Sequence, residues 1–349
     1  MSAHPERPAT VSVIVPCRNE ERYIGRCLDS IVNGEYPHDR LEVLVVEGRS
    51  DDRTRAILDD YVTRYPMIRV LDNPRRITPV ALNLAIRAAR GEILVRMDAH
   101  VVYPGNYIRD LVAALQQTGA DNVGGVLVTL PANETAIARA IATAMSHPFG
   151  VGNSYFRIGV RQPRWVDTIA FFCCRRETFE RVGLFDEELV VNQDGEFNSR
   201  LIKRGGRILL VPNVVSYYYA RGSLRHVARM CHQYGYFKPL VARKLGRVMS
   251  LRQLAPPGLV LALSATAILS PWVDAAFLLF QATAVAYLLA VLGFSISAGR
   301  KAGPRGVAAL ALVFPVMHFR YGLGFLRRVL ELPFRSGHHA RRAELPLSR

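Results

Sequence analysis

Four apolar runs, each followed by a stretch of helical periodicity, constrain this chain more than any other feature. The run 11–15 (Val-Ser-Val-Ile-Val) stops at Pro16. Ile24, Cys27, Leu28, Ile31 and Val32 then fall on one helical face. The run 42–46 is apolar after Glu42, as expected of a parallel strand covered on both faces. A helix is predicted over 53–65, with Ser50 or Asp51 as its cap. A third strand covers 68–71. Thr78 as cap and Pro79 in the first turn open a helix with Ala81, Leu82, Ala85, Ile86 and Ala89 on its apolar face. The fourth strand, 93–97, runs into Asp98-Ala99-His100. This alternation predicts an α/β, Rossmann-like sheet with right-handed crossovers. Ligands of such sheets bind beyond the carboxyl ends of the strands, where Asp98 and His100 stand.

The pattern then loosens. Strands are expected at 122–130, 166–173, 208–211 and 216–220, and a helix at 194–204 with Phe197, Leu201 and Ile202 inward. These extend the same sheet, giving a mixed, mostly parallel one. Pro256-Pro257-Gly258 marks a boundary. Beyond it, 259–272 is just long enough to cross a bilayer with its flanks, and 275–297 spans with some tilt. A third run, 307–317, ends at His318 and Arg320, so it either crosses or lies in the interface. Arg300, Lys301 and Arg305 belong on the cytoplasmic side. The division expected is a domain over 1–250, a membrane segment over 251–330 and a basic cytoplasmic tail over 331–349. A buried helical hairpin of a soluble protein is the plainer alternative.

Of the 349 residues, 45 are basic and 29 acidic, a formal charge of +16, which suits a phosphorylated substrate, anionic lipid or nucleic acid. Only four of the basic residues are Lys (203, 238, 244 and 301), a skew that coding bias explains equally well. Five cysteines form no Cys-X-X-Cys pair, which favours buried thiols in a reducing compartment. The polar segment 1–10 does not read as a signal peptide, so the first domain is expected in the cytoplasm.

The chemistry-bearing residues cluster at predicted strand and helix ends. Glu47 ends the second strand, where an acid can hold a base or ribose or simply be solvated. No Gly-X-Gly-X-X-Gly follows the first strand, which argues against a nicotinamide enzyme. Asp98 and His100 can share one cation, with Mn²⁺ suiting the mixed donors better than Mg²⁺, or His100 hydrogen-bonds in the loop. Asp194 and Glu196 open a helix, where acids meet the positive dipole end, and Asp194 can also serve as a general base. Arg225, Arg229 and Gln233 share a helical face that either clamps a diphosphate or rests on anionic lipid. Trp165, near Asp167, either stacks on a sugar or packs in the core.

The segments Val13-Ile14-Val15-Pro16-Cys17-Arg18-Asn19-Glu20-Glu21, Val45-Val46-Glu47-Gly48, Arg96-Met97-Asp98-Ala99-His100 and Asn192-Gln193-Asp194-Gly195-Glu196-Phe197 resemble family 2 glycosyltransferases of the GT-A fold. The similarity is to the succinoglycan-type glucosyltransferase branch, and Pro148-Phe149-Gly150-Val151-Gly152-Asn153-Ser154 and Phe185-Asp186-Glu187-Glu188-Leu189 add to it. It covers about residues 10–245. The resemblance implies that Pro16, Arg18 and Glu20 line a nucleotide pocket, with Glu47 at the uracil or ribose. It implies that Asp98 and His100 hold metal and diphosphate, that Asp194 is the catalytic aspartate and that Glu196 supports it. The chain differs from the family pattern in having His100 in place of the last acid of Asp-X-Asp and Gln193 in place of a Glu. It also lacks the Gln-X-X-Arg-Trp of processive polymerases; His232-Gln233-Tyr234-Gly235-Tyr236 stands in that region, which argues for one sugar per encounter.

The expected activity is inverting, metal-dependent transfer of one sugar from a nucleotide-sugar, UDP-linked by preference, to a membrane-associated, lipid-linked acceptor in polysaccharide biosynthesis. The enzyme is expected to be multi-pass in the plasma or inner membrane, with no nucleic-acid partner. A glycoside hydrolase using Asp98 and Asp194 needs no nucleotide. A non-catalytic basic tether predicts salt-sensitive binding indifferent to nucleotide-sugar.

Overall fold

The computed structural model of the protein describes residues 8–248 and 250–334. The tail arginines Arg335, Arg341 and Arg342 lie outside the described residues. Contacts divide the chain into two compact units that do not follow chain order. Of the described residues, the first contains those up to Val128 and Gly159–Tyr218, and the second Thr129–Ile158 and those from Tyr219 onward.

The first unit opens with β1 (Val11–Cys17), α1 (Ile24–Val32), β2 (Leu41–Glu47), α2 (Thr54–Arg64), β3 (Ile68–Asp72), α3 (Thr78–Ala88) and β4 (Ile93–Arg96). The short β5 (Val101–Val102), α4 (Tyr107–Thr118) and β6 (Asn122–Leu130) follow. The four expected parallel strands are present, ordered β3-β2-β1-β4. Val13, Ile14, Val15, Val43, Leu44, Val45, Val46, Leu94 and Val95 are wholly buried, which is why these runs show no polar alternation. The buried face of α1 is the one predicted, Ile24, Cys27, Leu28, Ile31 and Val32.

β1 continues through Pro16, where a stop was expected. The Ile14 carbonyl accepts from Met97 N, so even-numbered residues of β1 face β4. That ladder ends at Ile14 and Arg96, and the missing N–H of Pro16 falls beyond it. Ser50 and Asp51 do not cap α2. The Asp52 carboxylate accepts from Thr54 N, while Ser50 Oγ and Asp51 N bond Asn19 of the loop after β1. Thr78 likewise does not cap α3, whose cap position is Ile77.

After β6 the chain returns to the first unit through β7 (Arg164–Trp165), β8 (Cys173–Arg175), α8 (Arg176–Val182), α9 (Gln193–Lys203) and β9 (Ile208–Tyr219). These complete a sheet ordered β3-β2-β1-β4-β8-β6-β9-β5, with β7 also on β9. The strand expected over 166–173 is irregular apart from its last residue. Side chains replace the ladder there: Asn198 Nδ2 donates to Ile169 O (3.2 Å) and Asn122 Oδ1 accepts from Cys173 N (3.2 Å). The two strands expected over 208–220 are one. Pro212 sits between the partners of β7 (Leu209, Leu210) and those of β5 (Tyr217, Tyr218). All five cysteines are free and buried, and burial pushes their thiols above the usual range.

The second unit is helical: α5 (Ala136–Met145), α6 (Pro148–Val151), α7 (Tyr155–Ile158), α10 (Leu224–Leu245), α11 (Ala255–Leu269), α12 (Asp274–Gly299) and α13 (Gly303–Glu331). α10 and α13 cross so closely that a methyl on Gly235 would collide with the Tyr321 carbonyl, and one on Gly324 with that of His232. The third apolar run is part of the single helix α13. His318 does not end it. The ring is buried, one nitrogen bonded to Tyr287 OH (3.0 Å) and the other to Phe149 O (2.8 Å). The stretch Leu251–Leu269 and the one beginning at Asp274 are long and apolar enough to cross a bilayer. α11 and α12 expose Leu261, Ile268, Phe277, Leu278, Leu288 and Leu289.

Candidate active site

In the order β3-β2-β1-β4 the chain reverses direction across the sheet at β1. The loops leaving β1 and β4 therefore flank the crevice in which α/β sheets bind ligands. Side chains join those loops: His100 Nδ1, after β4, meets Glu20 Oε1, after β1, at 2.9 Å. Glu20 is itself fixed, its N–H donating to Thr54 Oγ1 at 2.8 Å. Asn19 and Arg49 hold left-handed backbone at φ 52° and 53°. Such strain in non-glycine residues persists where surrounding bonds over-determine it, and it concentrates at ligand-binding loops.

Arg96, the last residue of β4, organises the centre. Its Nε and Nη2 donate to Asp98 Oδ1 and Oδ2 at 2.7 and 3.0 Å, and its Nη1 donates to Asp194 Oδ1 at 3.2 Å. One guanidinium thus joins the acid after β4 to the acid in the first turn of α9. The Arg96 side chain is 6% exposed, Asp98 14% and Asp194 35%, so the base candidate is the member open to a substrate. The Phe171 ring lies 5.6 Å from the guanidinium carbon. α9 is anchored by Phe197, packed among Phe179 and Phe185, and by Asn198, which accepts from Asn122 Nδ2 at 3.0 Å. The residue before α9, Asn192, is left-handed at φ 69°.

Burial is the largest influence on Asp194 and raises its carboxyl above the ordinary range. Arg96 opposes that shift, and the charge of Asp98 adds to it. Desolvation acts to discharge Arg96, but Asp98 and then Asp194 outweigh it and keep the guanidinium charged.

The remaining expected residues fall elsewhere. Glu196 shares the first turn of α9 with Asp194. It is buried and pairs with Arg200 (2.5 and 2.9 Å), which donates to the carbonyls of Val182 and Leu184. Through Arg200 it is linked to the end of α8 and the segment between α8 and α9. Glu47 is 4% exposed and accepts from Ser50 N at 2.7 Å, closing the turn after β2. Pro16 and Arg18 flank the crevice loop after β1, with Arg18 reaching Asp51 at 3.5 Å. Trp165 is not in the core; it is 47% exposed on β7, with the Arg207 guanidinium 4.4 Å from its ring centre, and Asp167 is exposed nearby. Arg225 and Arg229 are exposed on α10, in the second unit, while Gln233 on that helix is buried.

Sequence reading assigned Arg96 no role. The available signal was a charged residue inside an apolar strand, two positions before Asp98 and so on the same side.

The family model for glycosyl transferase family 2 matches residues 12–187, half of the chain. The chain belongs to that family. This glycosyltransferase is 29% identical over 324 residues to the succinoglycan biosynthesis protein ExoA of Rhizobium meliloti, covering 91% of this chain and 94% of that one. It is also 29% identical over 243 residues to the dolichyl N-acetyl-alpha-D-glucosaminyl phosphate 3-beta-D-2,3-diacetamido-2,3-dideoxy-beta-D-glucuronosyltransferase of Methanococcus voltae, covering 67% and 74%. Among solved structures it shares its fold with the mannosyltransferase PcManGT of Pyrobaculum calidifontis in complex with GDP-Man and Mn²⁺, at TM-score 0.61 and 22% identity, covering 93% and 89%.

The residues present fit a divalent cation that brings most of its own ligands. Asp98 would offer the lone pairs its bonds to Arg96 leave, and His100 would offer Nε2, since its bond to Glu20 uses Nδ1. Among the described residues no cluster of three or more His, Cys, Asp or Glu side chains is arranged to hold a metal. One or two protein ligands, with phosphates and water completing the shell, is how Mg²⁺-like ions are commonly held at phosphate sites.

Proposed function

We propose that this family 2 glycosyltransferase moves a single sugar, with inversion, from a UDP-sugar to a lipid-linked saccharide at the membrane surface. The observation that carries the reading is the Arg96 guanidinium, which holds Asp98 and Asp194 within one cluster at the crevice. Asp98 and His100 are the residues that would hold Mn²⁺ or Mg²⁺; such a cation, when bound, offsets charge on the diphosphate leaving group. Asp194 accepts the proton of the acceptor hydroxyl. The hydroxyl oxygen bonds to the anomeric carbon as the bond from that carbon to the diphosphate oxygen breaks, and the nucleoside diphosphate leaves with that electron pair. Of the three side chains in the Arg96 cluster Asp194 is the least buried, which suits a single base and one displacement with inversion.

A membrane acceptor is supported by two features. The names of the two relatives refer to a dolichyl phosphate-linked sugar and to succinoglycan biosynthesis. The second unit carries two apolar stretches of spanning length. We place the catalytic unit on the cytoplasmic face, following the basic residues after α12. Arg225 and Arg229 on α10 are exposed cations that would suit anionic headgroups. The test is a panel of UDP- and GDP-sugars offered with membrane extract, with and without Mn²⁺. Mn²⁺-dependent transfer to a lipid-extractable product is expected from one UDP-sugar; release of free sugar without nucleotide would instead indicate a hydrolase.

A further inference from the structure

We infer that Arg96 is a positioning residue that ties the base to the cation-binding carboxylate and competes with the cation for Asp98; this rests on the roles proposed above for Asp98 and Asp194. The guanidinium is a rigid planar fork with five donors, so one group can hold two carboxylates at a fixed separation. Here Nε and Nη2 take both oxygens of Asp98, and Nη1 takes only Oδ1 of Asp194. At 6% exposure, under the Phe171 ring, the group has little freedom to swing out.

Two consequences follow. The fork uses one lone pair on each Asp98 oxygen, so a cation must take what remains and share the carboxylate with a positive charge. Substrate-free enzyme then holds the cation weakly, and the phosphates of the donor complete its site. Asp194, anchored by one oxygen, presents the other in a constant direction. A displacement of about 1 Å at a reacting group can cost on the order of 10²-fold in rate. Lys at position 96 would preserve the charge, yet a single ammonium on a flexible stem cannot reproduce the fork.

The experiment compares Arg96→Lys, Arg96→Met and Asp194→Asn in the full-length protein. It measures kcat, donor KM, Mn²⁺ binding to substrate-free enzyme by electron paramagnetic resonance, and folding by circular dichroism. Expected for both Arg96 variants is a kcat lower by on the order of 10²-fold with donor KM within about threefold of wild type. For Arg96→Met, Mn²⁺ should bind on the order of tenfold more tightly, because a competing charge has gone. Near-wild-type kcat in a folded Arg96 variant, a KM that rises as kcat falls, or unchanged Mn²⁺ affinity in folded Arg96→Met would each overturn the inference. If Arg96→Met does not fold, the kcat and KM of Arg96→Lys decide. Active Asp194→Asn would remove the base assignment itself, whereas inactive Asp194→Asn with fully active Arg96 variants would remove only the role of Arg96.

Discussion

Strands β1, β2 and β4 and helices α11 and α12 are alike in apolar content and opposite in environment. Leu44, Val45, Leu94 and Val95 are sealed within the sheet, whereas Leu278 and Leu288 are 63% and 62% exposed. A strand buried on both faces and a membrane helix both show unbroken apolar runs, so composition alone does not separate them. Length does: four to seven residues make a strand at the core of the sheet, and α12 runs for 26. α11 and α12 turn long apolar faces outward, whereas the buried strands are covered by their own sheet.

The largest expected effect belongs to the chemistry that the buried strands position. Asp194→Asn should lower kcat by about 10²–10⁴-fold while nucleotide-sugar binding by calorimetry and membrane pelleting stay unchanged. Loss of pelleting would mean that the variant disturbs the fold rather than the proton transfer. Next comes the core itself. Leu44→Ala should destabilise the first unit by about 2–5 kcal/mol in urea titrations monitored by fluorescence, whereas Leu288→Ala should stay within about 0.5 kcal/mol. Equal losses would show that α12 is a packed core helix and collapse the contrast. Leu288→Arg sharpens it from the other side: a charge at a lipid-facing position costs about 2.5–3.5 kcal/mol of insertion and should shift the protein out of the membrane fraction.

A smaller effect concerns pH. Asp194 must be ionised to accept a proton, and its carboxyl is raised, chiefly by burial. The acid limb of kcat/KM should therefore lie above the ordinary carboxylate range, and Arg96→Met, which removes the opposing charge, should move it higher still. The same shift means that the folded state binds the proton more tightly than the unfolded one. Its contribution to stability is greatest below the unfolded value and falls as pH rises towards the folded one. A limb at the usual carboxylate value would assign the base elsewhere. Smallest is the surface: Arg225→Gln and Arg229→Gln should each weaken binding to anionic vesicles by about fivefold at low salt, with the difference fading as salt rises.

The regular parts of the fold were readable in the sequence because their periods are long and unconflicted. α1 shows five inward residues at helical spacing, and β6 coincides with its apolar run. The misreadings share a cause, the local replacement of backbone partners. Pro16 looked like a break but lies where no ladder needs its N–H. The stretch before β8 looked like a strand but is held by Asn122 and Asn198, distant in sequence. At the site, the loop positions of Asp98, His100 and Glu20 could be read, and what joins them could not. Arg96 looked like an interruption in a strand because its second partner, Asp194, is 98 residues away. Glu196 shares the helix start with Asp194, and its partner is Arg200, four residues on in the same helix.

The burial of every thiol has a practical consequence. Maleimide reagents label accessible cysteines, and the native chain presents none, so it already serves as an unreactive background. A single cysteine introduced at Trp272, 78% exposed in the turn between α11 and α12, would become the sole addressable position. Its accessibility to an impermeant reagent in intact cells would report directly which side of the bilayer that turn occupies.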